Sequence, residues 1–230
     1  MEYKNIIKAK FIERPNRFIA VCDIDGNMEK VHVKNTGRCK ELLVKGADVF
    51  LEKSDKAERK TKYSLIAVYK GDNLINMDSQ VPNTIAYEAI KEGRITEIGT
   101  PDIVKREVRY GTSRFDLYFE KGGRKGFIEV KGVTLENDGI AAFPDAPTDR
   151  GTKHINELIK AKEEGYDAYI LFVIQMKEVR ELIPNGKTDP DFENALKKAC
   201  AAGVGVIAYD CIVSENSIKT DKPIPVKNIE

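Results

Sequence analysis

An uninterrupted apolar run, Ala168–Ile174, is the feature of this sequence that most restricts the possible folds. It has the length of one β-strand, and a strand without polar alternation must be buried on both faces. An amphipathic helix is predicted before it, over Thr152–Glu164, and a helix over Pro190–Ala202 and a strand over Val204–Tyr209 follow it. Because helices and strands alternate here, the sequence predicts an α/β domain with a mixed sheet.

The segment before this run supplies the other elements of the α/β domain. Pro82-Asn83 interrupts the chain, and Asn83 or Thr84 is placed to cap a short helix over Ile85–Lys91. We place the domain boundary after residue 80, so that this domain spans residues 81–230. Its first three strands are predicted over Ile103–Tyr110, Ser113–Glu120 and Gly126–Leu135.

Residues 1–80 show a different pattern, in which short β-rich runs are separated by turn signals such as Asp25-Gly26-Asn27. Five or six strands at this spacing predict a small closed barrel of the OB kind, with a small sandwich as the alternative. This segment has 16 Lys+Arg and 12 Asp+Glu, a net charge of +4, whereas residues 81–230 have 22 and 25, a net charge of −3. A basic first module beside an acidic second one suits a nucleic-acid enzyme, and a merely solvated basic surface is the other interpretation.

The residue inventory excludes several classes of protein. The only histidines are His32 and His154, which nearly excludes a Ser-His-Asp triad and a multi-histidine metal site. The four cysteines are scattered without a CxxC pair, as expected for free thiols rather than a zinc ribbon or a redox motif. Without a bilayer-length apolar run or an export signal, we expect a cytoplasmic protein with no membrane partner.

The candidate chemistry lies in two predicted strands joined by Gly122-Gly123, a strong hairpin signal. If these glycines form a two-residue turn, Asp116 lies directly opposite Glu129, and a register shift by two would place it opposite Lys131 instead. In either register, strand alternation puts the three charged groups on one face. The other, core-facing side of the first strand then carries Phe115, Leu117 and Phe119.

Two carboxylates at this distance repel each other, and a hard cation such as Mg²⁺ or Mn²⁺ relieves the repulsion by taking both as ligands. Lys131, two residues from Glu129, is within reach of a scissile phosphate, where it would stabilise developing negative charge. Asp116, Glu129 and Lys131 are therefore the candidate catalytic residues for phosphodiester hydrolysis. The alternatives are a solvated lattice of ion pairs that includes Arg114 and, more remotely, a glycosidase.

Several segments occur together in the order found in one known family. They are Asn35-Thr36-Gly37, Val81-Pro82-Asn83-Thr84, Tyr87-Glu88-Ala89-Ile90, Arg106-Glu107-Val108, Ser113-Arg114-Phe115-Asp116, Ile128-Glu129-Val130-Lys131-Gly132-Val133-Thr134-Leu135, Phe143-Pro144-Asp145-Ala146 and Arg150-Gly151-Thr152-Lys153-His154. Over nearly its whole length the chain resembles the sugar fermentation stimulation protein A (SfsA) family.

The resemblance implies an N-terminal OB-like barrel followed by a PD-(D/E)xK nuclease-like domain of mixed-sheet α/β type. It also implies DNA binding without strong sequence preference and a regulatory link to sugar (maltose) metabolism. Asp116, Glu129 and Lys131 match the nuclease-like triad of the family, whereas Thr152 stands where the family pattern often has Gln. A glutamate on the preceding helix completes the metal shell in some such folds, which makes Glu88 a further candidate ligand or, alternatively, a solvent-facing charge.

Basic residues supply the candidate nucleic-acid contacts. Arg150, Lys153 and His154 lie at the start of a predicted helix, where they would contact a phosphate or serve as caps and ion pairs, and His154 is also a candidate proton shuttle. The remaining basic candidates either line a nucleic-acid groove or are solvated surface charges. They are Arg14, Arg17, Arg38, Lys60, Lys62 and Arg114.

The sequence thus predicts a DNA-binding protein with a divalent-metal-dependent phosphodiesterase site. The main alternative is a non-catalytic DNA-binding regulator that retains a nuclease fold. The oligomeric state is left open, a homodimer included.

Overall fold

The computed structural model describes residues 1–35, 37–55 and 58–230. The first part of the chain forms six strands, β1 (Ile6–Asn16), β2 (Ile19–Ile24), β3 (Asn27–Val33), β4 (Asp48–Lys53), β5 (Tyr63–Lys70) and β6 (Asn73–Asn76). Their order in the sheet is β3-β2-β1-β4-β5-β6, and a further parallel pairing of β3 with β5 closes β1–β5 into a barrel. The predicted OB architecture is confirmed, and the sandwich alternative is wrong because the sheet closes on itself.

Side chains that alternate along each strand fill the barrel. Ala20 and Cys22 in β2 are fully buried, as are Val31 and Val33 in the paired strand β3. The residues between them are less buried, as expected when successive side chains point to opposite sides of a strand.

The rest of the chain forms the mixed-sheet α/β domain. Its elements are α1 (Val81–Lys91), β7 (Ile103–Tyr110), β8 (Ser113–Lys121), β9 (Arg124–Val133), β10 (Glu136–Asn137), β11 (Ile140–Phe143), α2 (Asp149–Glu163), β12 (Asp167–Ile174), β13 (Glu181–Pro184), α3 (Pro190–Ala201), β14 (Gly205–Ser214) and β15 (Ser217–Pro223). The main sheet has the order β15-β14-β12-β9-β8-β7, and β10, β11 and β13 form a small second sheet. Strand β12 lies between two parallel neighbours, β9 and β14, and is buried from Ile170 to Ile174, which confirms the prediction for a central strand.

The two longer helices begin at capping side chains. The hydroxyl oxygen of Thr148 accepts from the backbone N–H of Gly151 in α2, and the Asp189 carboxylate accepts from Phe192 N–H in α3. Helix α1 begins earlier than predicted, after Gln80 and without a side-chain cap, because Pro82 is accommodated in the first turn. The expectation that Asn83 or Thr84 caps this helix is therefore wrong, and the Asn83 amide has another partner.

A buried polar cluster joins the two domains. The Gln175 side chain, which follows β12, donates to Oδ1 of Asn76 at 2.9 Å and to the Asp78 carbonyl at 3.1 Å. The Asn76 amide donates in turn to the Tyr3 hydroxyl at 2.9 Å, and its backbone N–H bonds the Gln175 carbonyl at 2.9 Å. Asn76 and Gln175 are each 1% exposed, so the cluster is shielded from solvent.

Across residues 1–35, 37–55 and 58–230, no helix is both long enough and apolar enough to cross a membrane. The four cysteines are free, as the sequence predicts.

Candidate functional site

The β8–β9 hairpin has the register expected for a two-residue turn. Leu117 pairs with Ile128 and Lys121 pairs with Arg124, with Gly122 and Gly123 between the strands. The two glycines have φ values of 54° and 81°, a left-handed backbone that residues with a Cβ adopt only at a cost. The register expected for a two-residue turn is thus the one that forms, and the pairing ends at Leu117–Ile128, one residue before Asp116 and Glu129.

Side-chain alternation in β8 breaks at Asp116. The Phe115 ring packs 5.1 Å from that of Phe127, in the part of the core that α2 covers, whereas Leu117 lies in the part that α1 covers. The prediction that Phe115 shares a face with Leu117 is therefore wrong. The reason lies in β7, where Glu107 stands opposite Asp116 with a φ of 57° and interrupts the pairing between the two strands.

This interruption places the Asp116 carboxylate in the gap where β8 leaves β9. Its Oδ2 accepts from the backbone N–H of Val130 at 2.8 Å, and its Oδ1 accepts from Nδ2 of Asn83 in α1 at 2.7 Å. Burial and then the negative charge of Glu129 raise the pKa of Asp116 to about 6, against the opposing effects of these bonds and of Lys131. The two carboxylates therefore interact across the gap.

Glu129 is the most deeply buried charged group of the site, with 3% of its surface exposed. Its Oε1 accepts from Lys131 Nζ at 2.8 Å and is also hydrogen-bonded to Nδ1 of His154. Burial alone would raise the pKa of Glu129, but the His154 hydrogen bond and the Lys131 charge outweigh it and hold that pKa below its usual value. Glu129 is thus stabilised as a carboxylate inside the protein.

The second oxygen of Glu129 has no such partner. Oε2 is buried and accepts no hydrogen bond from any of the described residues. A buried carboxylate oxygen without a donor is costly, and a hard cation is a suitable partner for it. With Asp116 beside it, this oxygen fits a divalent cation, although no group of three His, Cys, Asp or Glu side chains is already assembled for metal binding in the described parts of the chain.

Glu88 is not brought to this site. Its Oε2 accepts from the amino group of Met1 at 3.1 Å, and its side chain is 37% exposed. The residue of α1 that reaches the carboxylates is Asn83, in the first helical turn. The expectation of Glu88 as a metal ligand fails because it lies on a different side of the helix from Asn83.

His154 is buried, at 6% exposure, and its ring contacts Glu129 rather than the surface. It lies in the second turn of α2 because Thr148 caps the helix four residues before Thr152. Its predicted role as a phosphate contact therefore does not suit its position. Arg150 and Lys153 are exposed near the start of α2, with a long contact of 3.5 Å from Arg150 Nε to His154 Nε2.

Arg14 has a role in the barrel that differs from the predicted one. Its two terminal nitrogens donate at 2.6–2.9 Å to the backbone carbonyls of Arg17, Asn35, Gly37 and Arg38. Because these bonds use four of the five N–H groups of the guanidinium, Arg14 holds the loop after β3 in place rather than offering a free phosphate donor.

The other basic candidates of the barrel are on the surface. Arg17, Arg38, Lys60 and Lys62 are exposed, and Arg17 lies over the Phe18 ring at 5.7 Å. Arg17 and Arg38 line a groove of about 730 Å³ that reaches Ala146 of the second domain. Lys40 and Lys45 also line it and were missed from the sequence, although both lie in a segment with few acidic residues.

Two family models together match almost all of the chain: the SfsA N-terminal OB domain over residues 12–77, and the Sugar fermentation stimulation protein RE domain over residues 80–217. The chain belongs to the SfsA family. Curated members named Sugar fermentation stimulation protein homolog include one from Clostridium beijerinckii, 58% identical over 218 residues, which are 95% of this chain and 96% of that protein. Another, from Desulfitobacterium hafniense (strain Y51), is 52% identical over the full length of both chains, with 100% coverage of each.

A solved structure also belongs to the SfsA family, that of Pyrococcus furiosus SfsA in complex with Ca²⁺. It matches with a TM-score of 0.88 and 30% sequence identity, over 99% of this chain and 98% of that one. The barrel and the mixed-sheet domain are thus family features.

Proposed function

We propose that this SfsA-family protein is a DNA-binding, divalent-metal-dependent phosphodiesterase with a PD-(D/E)xK-type site. The observation that carries the proposal is Glu129, a buried carboxylate whose Oε2 has no donor among the described residues and whose neighbour across the strand gap is Asp116. A purely structural ion-pair lattice would leave its groups solvated or paired. Here the buried Glu129 carboxylate is held ionised, and its Oε2 is left without a hydrogen-bond donor among the described residues.

Asp116 and Glu129 are the residues that would hold the cation. The family relative from Pyrococcus furiosus is a Ca²⁺ complex, which supports a hard divalent ion at such oxygen ligands. Mg²⁺ and Mn²⁺ are the ions we propose for catalysis, because Ca²⁺ has looser coordination. When bound, such an ion supplies Lewis acidity to phosphate and water oxygens.

The protein's own residues do the rest of the work at the phosphate. Lys131 carries its ammonium beside Glu129 and can stabilise negative charge that develops on the scissile group. His154 fixes the orientation of the Glu129 carboxylate from α2. The exposed arginines and lysines of the barrel groove supply attraction to the DNA backbone that depends little on sequence. A regulatory link to sugar use is part of the proposal and has its support in the name of the curated relatives. Maltose as that sugar is what the family resemblance implies.

One observation favours a second candidate, a DNA-binding regulator that holds metal without cutting. No third metal-ligating side chain stands with Asp116 and Glu129 in residues 1–35, 37–55 and 58–230. A cation held by two carboxylates takes its remaining ligands from water and substrate, as Mg²⁺ commonly does. The same arrangement is compatible with a protein that binds the cation and hydrolyses DNA slowly or not at all.

Incubation with plasmid and with single-stranded DNA, in Mg²⁺, Mn²⁺ or chelator, tests the proposal. We expect metal-dependent cleavage that Asp116→Ala, Glu129→Ala and Lys131→Ala each abolish. Lys131→Ala should still bind the metal, since it removes a charge and not a ligand. Cleavage that survives all three substitutions would arise from another source. A wild-type protein that binds metal and DNA without cutting would favour the second candidate, the non-catalytic regulator.

A further inference from the structure

The β7–β8 hairpin extends past the point where the main sheet divides. Pairing between β8 and β9 ends at Leu117–Ile128, but pairing between β7 and β8 continues to Tyr110–Ser113. The tip of the β7–β8 hairpin, which we call the arm, therefore separates from β9, and Asp116 lies where β8 and β9 diverge.

Two arginines stand opposite each other on this arm. Arg109 and Arg114 are direct cross-strand partners, and both are exposed. Arg114 Nε bonds Glu107 at 2.7 Å, while Arg109 has no ion-pair partner within the described residues. Like charges placed directly opposite destabilise a β-ladder, so this pair is unfavourable for the isolated hairpin. With the turn between them, the arginines line a concavity of about 410 Å³.

The arm is held firmly against the rest of the domain. The Tyr110 ring packs 5.7 Å from Phe115 and 5.2 Å from Phe127. Thr112 donates a hydrogen bond of 3.0 Å to Oε1 of Glu157 in α2, the helix that also carries the partner of Glu129. The arginine pair is thus fixed relative to the carboxylate site.

We propose that Arg109 and Arg114 form a phosphate clamp that binds the backbone of a DNA strand next to the phosphodiester at Asp116. The inference rests on the proposed function and deepens it. Arg114 precedes Asp116 by two residues on β8, roughly 7 Å away along the strand. Guanidinium groups bind phosphate oxygens with two parallel hydrogen bonds, and a bound phosphate removes the repulsion between the paired arginines.

Equilibrium binding of a fluorescent DNA duplex in chelator, where no cleavage occurs, tests the clamp. Arg109→Ala and Arg114→Ala should each weaken binding and lower the slope of log K against log salt by about one. Arg124→Ala is the matched control, because Arg124 is also an exposed arginine, 69% in side-chain exposure, at the opposite end of the same sheet. Its slope should match that of the wild type. Equal losses in all three variants, or none in the first two, would overturn the clamp.

The thermal unfolding midpoint separates the clamp from a structural role. Removal of one of two opposed like charges should leave the midpoint of Arg109→Ala unchanged or raise it, whereas a lower midpoint with an unchanged salt slope would refute the proposal. The result is also separable from the proposed function. If the wild type never cuts DNA, but the slope of log K against log salt still falls in both clamp variants, the clamp stands and the nuclease proposal fails. Full cleavage and unchanged DNA affinity in both variants removes the clamp alone.

Discussion

The side chain of Asn83 donates a hydrogen bond of 2.7 Å to Oδ1 of Asp116 and ties the first turn of α1 to the strand gap. Because Val130 N–H occupies the other oxygen, both oxygens of Asp116 are oriented by neutral donors. Neutral donors hold the carboxylate without cancelling its charge, so the charge remains available to a cation.

Asp116→Asn should stabilise the metal-free protein at neutral pH. The pKa of Asp116 is raised from 3.8 to about 6. Between these values the unfolded chain releases the proton while the folded protein keeps it, so the free energy of unfolding falls as pH rises through this window. The full penalty above pH 6 is roughly 3 kcal/mol at most. Urea unfolding in chelator should show the variant more stable than wild type at pH 7.5, and by a much smaller margin at pH 4.5.

A divalent cation should reverse this order, because only the wild type gains binding energy from it. If Asp116→Asn is less stable than wild type in chelator at every pH, the hydrogen bonds from Asn83 and Val130 outweigh the cost of burying the Asp116 charge.

Glu129→Gln should abolish stabilisation by metal. Saturation with a cation at a hundred times its dissociation constant contributes about 2.7 kcal/mol to a folded protein, so Mn²⁺ should raise the thermal midpoint of the wild type and not of the variant. Glu157→Gln is the matched control, since Glu157 is also buried with an unpartnered Oε2. A midpoint shift that disappears in Glu157→Gln and persists in Glu129→Gln would move the metal site to α2.

His154→Ala should make metal binding more sensitive to acid. The His154 hydrogen bond helps to hold the pKa of Glu129 below its usual value, and its loss should raise that pKa. Protons then compete with the cation for Glu129 at higher pH than in the wild type. Mn²⁺ affinity measured by calorimetry from pH 5 to 8 should show the largest deficit at the acidic end. A deficit that is constant with pH would mean that His154 acts only through packing.

Arg14→Ala should destabilise the barrel, whereas Arg17→Ala should not. Loss of Arg14 leaves four backbone carbonyls without their donor, at a cost of roughly 2–4 kcal/mol in the free energy of unfolding. Arg17 is an exposed neighbour, and Arg17→Ala removes one positive charge, as Arg14→Ala does. Urea unfolding of the two variants provides the comparison, and equal stability of both would mean that solvent replaces Arg14 without penalty.

Much of the fold follows from local signals in the sequence. Gly122-Gly123 determines the hairpin register, and the apolar run before Gln175 identifies the central strand. The small second sheet was missed, because β11 pairs with β13 across about forty residues of chain and neither strand has a strong pattern of its own.

The sequence indicates the three central residues of the candidate site better than its geometry. Asp116, Glu129 and Lys131 lie together, but Asp116 reaches its place through a backbone irregularity at Glu107 that strand alternation does not anticipate. His154 was identified as a site residue, whereas its contact with Glu129 depends on how α2 packs on the sheet. Asn83 has no signal of its own, since an asparagine in the first turn of a helix is usually explained as a cap.

The buried cluster of Asn76 and Gln175 has a consequence for how the molecule comes apart. Hydrogen bonds shielded from water cannot be broken one at a time without stranding their partners, so separation of the two domains carries a high free-energy barrier. A barrel of residues 1–80 produced alone would expose Asn76 and lose the partner of its backbone N–H. The barrel and the mixed-sheet domain should therefore melt in a single calorimetric transition, as one cooperative unit.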